Sequence, residues 1–334
     1  MGNKLRSANL GLLWFYLVII VIFSLLSPPF RTIGNLQNLL SGFSHIGIMA
    51  VGMAFPLLLG GIDLSVGAIM GLVGMVMLDV IMLLGVPGWV AVPIGLAVGA
   101  LAGLLNALLI VRVGLQPFIA TLATMVAYRG ITYTISGRQL VPELSVLAIT
   151  DPFYTSIDGA IGPVPLAFVY LVLIAVLTYV LLRYTRFGIN VYAVGGNEAA
   201  ARLAGINVNR IKVVAYMISG ACTAVATLIL TSRMTTSTED LGFSFEMSAI
   251  AAAIIGGVSL RGGVGNTIGP ALGAFLIGTI YIGLTLVGVT TYAQPVVVGA
   301  VLIGAVGYDR FLEARRARSL LERRALEAHR VGGR

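Results

Sequence analysis

Side chains able to do covalent or metal chemistry are few and scattered. Cys222 is the only cysteine, and His45 and His329, the only histidines, are far apart in sequence and setting. One thiol and two imidazoles cannot assemble a catalytic triad, a hydrolytic metal site or a disulfide framework. The only lysines are Lys4 and Lys212, and neither follows a glycine, so the G-x-x-x-x-G-K-[ST] loop that cradles nucleotide phosphates is missing. Any ATP, with its magnesium, has to be bound by another chain. No catalytic residue, cofactor or metal is expected here.

What remains is polar chemistry in an apolar setting. Between Asp63 and Arg112 the only charge is Asp79, and between Arg261 and Asp309 there is none. Acids inside a membrane are costly and often mark an ion or substrate path. Asp63, however, stands where a helix begins and its carboxylate can cap Leu64 to Val66, so a structural role beside Ser65 is preferred, with a gating contact as the alternative. Asp79 lies toward the outer end of its span and can simply face water. Arg129 reads as a paired or snorkelling arginine, and Glu246, at the entry of another span, shares the choice between gating and structure. For an uncharged, hydroxylated solute a path should offer amides, hydroxyls and aromatic faces. Asn106, Gln116, Thr121, Thr124, Tyr128 and Ser219 are candidates, each equally able to bond a neighbouring backbone carbonyl.

The elements that must position these groups are membrane helices. The chain is 58% hydrophobic and 10% charged, which excludes a soluble globular domain. A hydrocarbon core about 30 Å thick takes about 20 helical residues to cross. The expected fold is all-α and polytopic, with about ten spans near 10–27, 43–60, 64–84, 89–111, 115–136, 165–183, 212–231, 246–259, 264–288 and 292–308. Segment 246–259 is short, and is read as a crossing buried among other helices whose Gly256-Gly257 end is unwound. The first stretch follows Lys4 and Arg6 and lacks an A-x-A exit, so it is read as a retained span. Glycine supplies 42 residues, and rows such as Gly67/Gly71, Gly95/Gly99/Gly103 and Gly269/Gly273 are expected to pack helices within one chain.

An even number of spans puts both termini on one side. Placing them in the cytoplasm leaves only Arg31, Arg129, Arg138 and Arg233 elsewhere, as the positive-inside rule asks. Residues 1–308 are then a single membrane domain with a cytoplasmic loop at 184–211. The basic tail 309–334 suits anionic lipid and needs no nucleic acid to explain it. The outer loop 137–164, with Glu143, Asp151 and Asp158, is either a solvated loop or a landing surface for a soluble partner.

Within the cytoplasmic loop, Gly196-Asn197-Glu198-Ala199-Ala200-Ala201-Arg202-Leu203-Ala204-Gly205 predicts a short, self-contained helix. Asn197 is a good N-cap, Glu198 suits the positive end of the dipole, the alanines favour helix and Gly205 can take the left-handed position past the end. So few turns are unstable alone and have to dock, on the membrane domain or in a cleft of a cytoplasmic partner.

Four stretches, in order and spacing, give the chain a family resemblance: Gly60-Gly61-Ile62-Asp63-Leu64-Ser65-Val66-Gly67; Gln116-Pro117-Phe118-Ile119-Ala120-Thr121-Leu122 with Tyr128-Arg129-Gly130; Gly195 to Ile206; and Ile254-Ile255-Gly256-Gly257-Val258-Ser259-Leu260-Arg261-Gly262-Gly263-Val264-Gly265. It resembles the permease subunits of ATP-binding-cassette importers of the ribose-type sugar branch, in the superfamily shared with branched-chain amino acid permeases. The resemblance implies a type II importer-like permease in a bacterial cytoplasmic membrane. It also implies an ATP-binding subunit, commonly tandem-fused, that carries ATP and magnesium; a second permease copy or paralogue; and a periplasmic or lipoprotein sugar-binding protein. Gly196, Asn197, Glu198, Ala199, Arg202, Leu203 and Gly205 then correspond to the coupling helix. One departure is visible: Glu246-Met247-Ser248-Ala249-Ile250-Ala251 stands where the family has Glu-Leu-Asp-Ala-Ile-Ala, which puts any role of that acid in doubt. Branched-chain amino acids or nucleosides are the nearest alternative cargo. An ion-driven transporter would ask for acidic pairs at mid-bilayer, which the sequence does not offer.

Overall fold

The computed structural model describes residues 2–136, 148–300 and 303–304, with side chains from residue 14 onward. Its helices are α1 (Gly2–Leu26), α2 (Ile33–Leu58), α3 (Val66–Met82), α4 (Gly88–Leu108, continued by a π-turn to Val113), α5 (Pro117–Ser136), α6 (Pro152–Thr155), α7 (Leu166–Tyr184), α8 (Arg186–Gly196), α9 (Glu198–Leu203), α10 (Val208–Met234), α11 (Phe245–Ile255) and α12 (Ile268–Leu286). Residues 294–300 and 303–304 are also helical, in the stretch predicted for the tenth span. A single antiparallel ribbon joins β1 (Ala160–Ile161) to β2 (Val164–Pro165). Glu143 and the basic tail lie outside the described residues.

Five of the described helices, α2, α4 with its π-turn, α7, α10 and α12, are long and apolar enough to cross a membrane, and α3, α11 and Trp14–Leu26 of α1 are shorter apolar helices. Together they make an all-α, multi-pass membrane protein. Burial follows a hydrocarbon solvent: α2 is buried continuously from Ser44 to Leu58, while α1, α4 and α7 turn Trp14, Leu25, Leu101, Leu173 and Leu177 outward. Large exposed apolar side chains on that scale are tolerated only where the surroundings are apolar too.

Three boundaries differ from the expected ones, each for a local reason. α2 starts about ten residues before 43, because the Thr32 hydroxyl accepts from Asn35 N at 3.2 Å and caps a helix that runs through the more polar Gly34–Ser41. α11 ends at Ile255, with Gly257 at φ +87 closing it, so it is shorter than 246–259. The loop after α7 contains α8 as well as the predicted short helix; the Thr185 side chain caps α8 by accepting from Gly188 N.

Glycine rows set the interhelical distances, as the four-residue spacing predicts. Gly99 and Gly220 meet back to back: a Cβ on Gly99 would collide with the Gly220 carbonyl and Ala224, and one on Gly103 with the Tyr216 carbonyl. Gly269 and Gly273 lie in the same way on Gly256 and Ala252. Hydroxyls of Thr223, Thr227 and Thr231 donate to the carbonyls of Ser219, Thr223 and Thr227, so α10 hides them along its own axis.

On the far side of the bundle from α9, Asp151 caps α6 through Tyr154 N at 2.8 Å and holds the start of α4 through Gly88 N at 3.1 Å. Asp158 accepts from the Ser41 hydroxyl at 3.4 Å. Two of the three acids in the predicted outer loop are thus engaged in holding helices.

Replacing Gly99 by leucine should force α4 off α10 and cost about 1–3 kcal/mol, the usual range for overpacking. A lowered unfolding midpoint in detergent, with Gly130→Leu near wild type because nothing lies within 4 Å of Gly130, is the expected outcome.

Candidate functional site

The site is built where α2 stops inside the bundle. Leu58 ends the helix, Gly60 turns at φ +76, and no helix resumes until Val66. Backbone groups exposed by such a break have no lipid partner and must be satisfied by protein. Asp63, fully buried, is central to the solution. Its Oδ1 accepts from Ser65 N at 3.1 Å, the Ser65 hydroxyl at 2.6 Å and Asn106 Nδ2 at 3.3 Å, while Oδ2 accepts from the Ser219 hydroxyl at 3.0 Å. Asn106 Nδ2 also reaches Ser65 Oγ at 2.7 Å, and Tyr128 Oη donates to the Ala102 carbonyl at 2.8 Å and lies 3.5 Å from Asn106 Oδ1. One carboxylate thus ties α3, α4 and α10 to the break.

All four motif stretches converge here. From the second, Thr121 Oγ1 donates to the Ile62 carbonyl at 3.1 Å, and Pro117 lies against Gly61. From the third, Gly195 sits against the Leu58 carbonyl so closely that no side chain fits. From the fourth, Gly263 N donates to that carbonyl at 2.8 Å, with Gly262 and Gly263 both left-handed at φ +81 and +70. Tyr192 of α8 adds a bond from Oη to the Gly265 carbonyl at 2.8 Å. Glycines at 60, 195, 262 and 263 are there because three pieces of backbone meet.

α9 hangs directly from this junction. Asn197 caps it, its side chain accepting from Ala200 N at 3.0 Å, and Gly205 turns left-handed at φ +80 after it. Ala201 is buried beneath it, and Lys212 of α10 donates to Glu198 at 2.8 Å; Arg202 reaches the same carboxylate at 3.0 Å. The helix therefore does dock on its own membrane domain, yet only by one face. On the other, Ala199 and Leu203 stand free, Leu203 at 91% exposure, and Arg202 is exposed with only Glu198 of the same helix as its partner. Gly196 and Asn197 are exposed beside them.

The hydrogen bond from Lys212, together with the Arg202 charge, holds the Glu198 carboxyl below the usual glutamate range against partial burial. A lowered folded pKa means the contact is complete above the ordinary pKa and is lost as pH falls through the lowered one. Lys212 and Tyr192 were not anticipated as partners; the glycine pairs Gly60-Gly61, Gly195-Gly196 and Gly262-Gly263 signal the junction in sequence.

The six polar side chains expected along a path are not gathered on an open surface. Asn106, Thr121, Thr124, Tyr128 and Ser219 are buried within the chain, and Thr124 Oγ1 donates to the Thr121 carbonyl at 3.1 Å. Gln116 is exposed where α5 begins. Arg129 is paired with backbone: its Nη1 donates to the carbonyls of Glu239 and Leu241, both at 2.9 Å, holding the non-helical stretch ahead of α11. Glu246 lies in the first turn of α11 against Gly67, and Asp79 is half-buried near the end of α3.

A bundle of interrupted membrane helices with one projecting, capped helix fits a transport protein of the permease class. Residues 35–306 match the family described as branched-chain amino acid transport system / permease component, and the chain belongs to that family. It is similar to the ribose import permease protein RbsC of Haemophilus influenzae, 36% identical over 89% of this chain and 91% of the relative. The RbsC of Bacillus subtilis is 40% identical over 88% and 90%, and the D-allose transport system permease protein AlsC of Escherichia coli 37% over 93% and 96%. No solved structure matches the chain.

Two outcomes follow from this geometry. Asp63→Asn turns one acceptor oxygen into a donor among three donors, and should cost about 1–3 kcal/mol, seen as a lower unfolding midpoint and yield in detergent. Lys212→Met should speed amide exchange over residues 198–203 at neutral pH, with wild type and variant converging once Glu198 is protonated.

Proposed function

We propose that this chain is the membrane-spanning subunit of an ATP-driven importer that carries a monosaccharide into a bacterial cytoplasm. The observation that carries the reading is α9: a capped helix fixed to the membrane domain on one side and bare on the other, in a chain whose relatives over about nine-tenths of its length are named for ribose, allose and L-arabinose. In this reading Arg202 and Leu203 enter a cleft of a separate ATP-binding subunit, often tandem-fused, which binds ATP and magnesium. A second permease copy or paralogue completes the path, and an external sugar-binding protein delivers the cargo to the opposite face.

The charge distribution supports the orientation. Arg112, Arg183, Arg186, Arg202, Arg210, Lys212 and Arg261 all lie toward the α9 end, and Arg31 and Arg233 toward the other, so the α9 end is assigned to the cytoplasm. Asp63 keeps its proposed structural role, with Ser65, Asn106, Tyr128 and Ser219 as its supports rather than as sugar ligands.

Leu203→Glu should leave expression and folding unchanged, because the side chain is exposed, and Arg202→Glu should cost only about 0.2–0.5 kcal/mol for its exposed pair with Glu198, while sugar-stimulated ATP hydrolysis and uptake fall in both by at least about tenfold, as for loss of an interface anchor worth upward of ~1.4 kcal/mol. Wild-type uptake by both variants would remove α9 from the coupling role.

A further inference from the structure

The chain between α10 and α11 is irregular and folds back along α3. α10 stops at Met234 and α11 starts at Phe245, with Thr235 and Ser244 both left-handed at φ +53 and +64 and Gly242 at φ +76 between them. Its depth can be read from α3, along which it descends. Ser237 lies against Gly74, the Leu241 carbonyl against Gly71, and Glu246 against Gly67. At 1.5 Å per residue those positions lie about 12 Å and about 22 Å from the Met82 end of α3 for Gly74 and Gly67, within a hydrocarbon layer about 30 Å thick. Arg129 fixes the stretch from α5 through its two carbonyl bonds, and Tyr133 Oη donates to Asp240 Oδ1 at 2.9 Å.

One side of this stretch is bare. Phe243 is 68% and Met247 58% exposed, and Asp240 and Ser244 are exposed as well. Irregular backbone carrying a carboxylate and a hydroxyl is not found facing lipid tails; at that depth it is tolerated only against protein or along a water-filled cavity. The adjoining surface of α5 is exposed at Gly130, Tyr133 and Thr134, so polar groups continue across two elements. α7, by contrast, turns only Leu and Val outward over its central turns, at Val172, Leu173, Val176, Leu177 and Val180.

We propose that the bare side of residues 240–247, with Tyr133 of α5, is a wall of the water-filled translocation path and the surface the sugar slides across. This rests on the importer reading and names where in this subunit the cargo passes. Phe243 offers an apolar ring face to a sugar ring, and Ser244 and the backbone beside it exchange hydrogen bonds with its hydroxyls. The five buried polar residues of the Asp63 cluster have no such access.

Cysteine accessibility tests this in the assembled transporter, and the chain suits it because its single cysteine, Cys222, is buried. In a Cys222→Ala background, Phe243→Cys, Ser244→Cys and Met247→Cys should react with a charged, membrane-impermeant maleimide at least about tenfold faster than Leu173→Cys, since a charged reagent is excluded from hydrocarbon. Saturating transported sugar should slow labelling at 243 and 244. Phe243→Ala should raise the half-saturation concentration for uptake about three- to tenfold with ATPase coupling kept, as for loss of one ring contact. Labelling no faster than at 173 would overturn the proposal. Labelling that appears only after the assembly is dissociated would overturn it too, by making this surface a seam between copies. Failure of the importer reading itself would show separately, as no ATP-binding subunit co-purifying with the chain.

Discussion

The rest of the structure depends on one constraint: a helix cannot end inside a membrane unless its open carbonyls and the turn that follows are satisfied by protein. α2 ends at Leu58 after a fully buried run, and in the turn that carries the chain into α3 only Gly60 is exposed. Two things make that possible. Asp63 collects four hydrogen bonds and fixes the start of α3, and glycines from two distant segments come close enough to reach the Leu58 carbonyl. An unpaired carboxylate at this position would be prohibitive, so Ser65, Asn106 and Ser219 are required as much as Asp63 itself.

That solution also joins the water-facing part of the chain to the membrane part. α9 follows Gly195-Gly196 directly, and Gly195 touches the Leu58 carbonyl with no side chain to yield. Close-packed interiors have little compressibility, so a displacement of α8 or α9 meets the end of α2 and the 256–267 loop at once. Glu198 and Lys212 fasten the same helix to α10, whose Ser219 holds the other oxygen of Asp63. Buried backbone contact, rather than surface charge, is the firmer of the two attachments, because exposed ion pairs contribute little.

How much of this was legible in sequence depends on whether the cause was local. Helix existence was, since a membrane helix satisfies its own backbone and shows as an apolar run; so was the Asn197 cap, which needs only residues three apart. α8 was missed because Gly188, Asn190, Gly195 and Gly196 argue against a helix by propensity, and its glycines answer instead to close packing outside the helix, Gly188 against the Leu182 carbonyl at the end of α7 and Gly195 against the distant Leu58. The hydroxyls proposed for a path are bonded within the chain for a related reason. Thr121, Thr124 and Tyr128 have hydroxyls whose partners are backbone carbonyls chosen by packing, and no spacing rule separates a threonine that bonds its own helix from one that meets a solute.

The two interruptions of the bundle are linked through α3. Its first residue follows the Asp63 knot, and its Gly67, Gly71 and Gly74 carry the descent of residues 237–246. A shift of α3 along its axis therefore changes the α2 break and the α10–α11 break together. Arg129 strengthens the link, since the two carbonyls it holds belong to the second break while its helix, α5, begins at Pro117 against Gly61 of the first. Two breaks carried by one short helix are a more economical arrangement than two independent hinges, because one rigid element sets both.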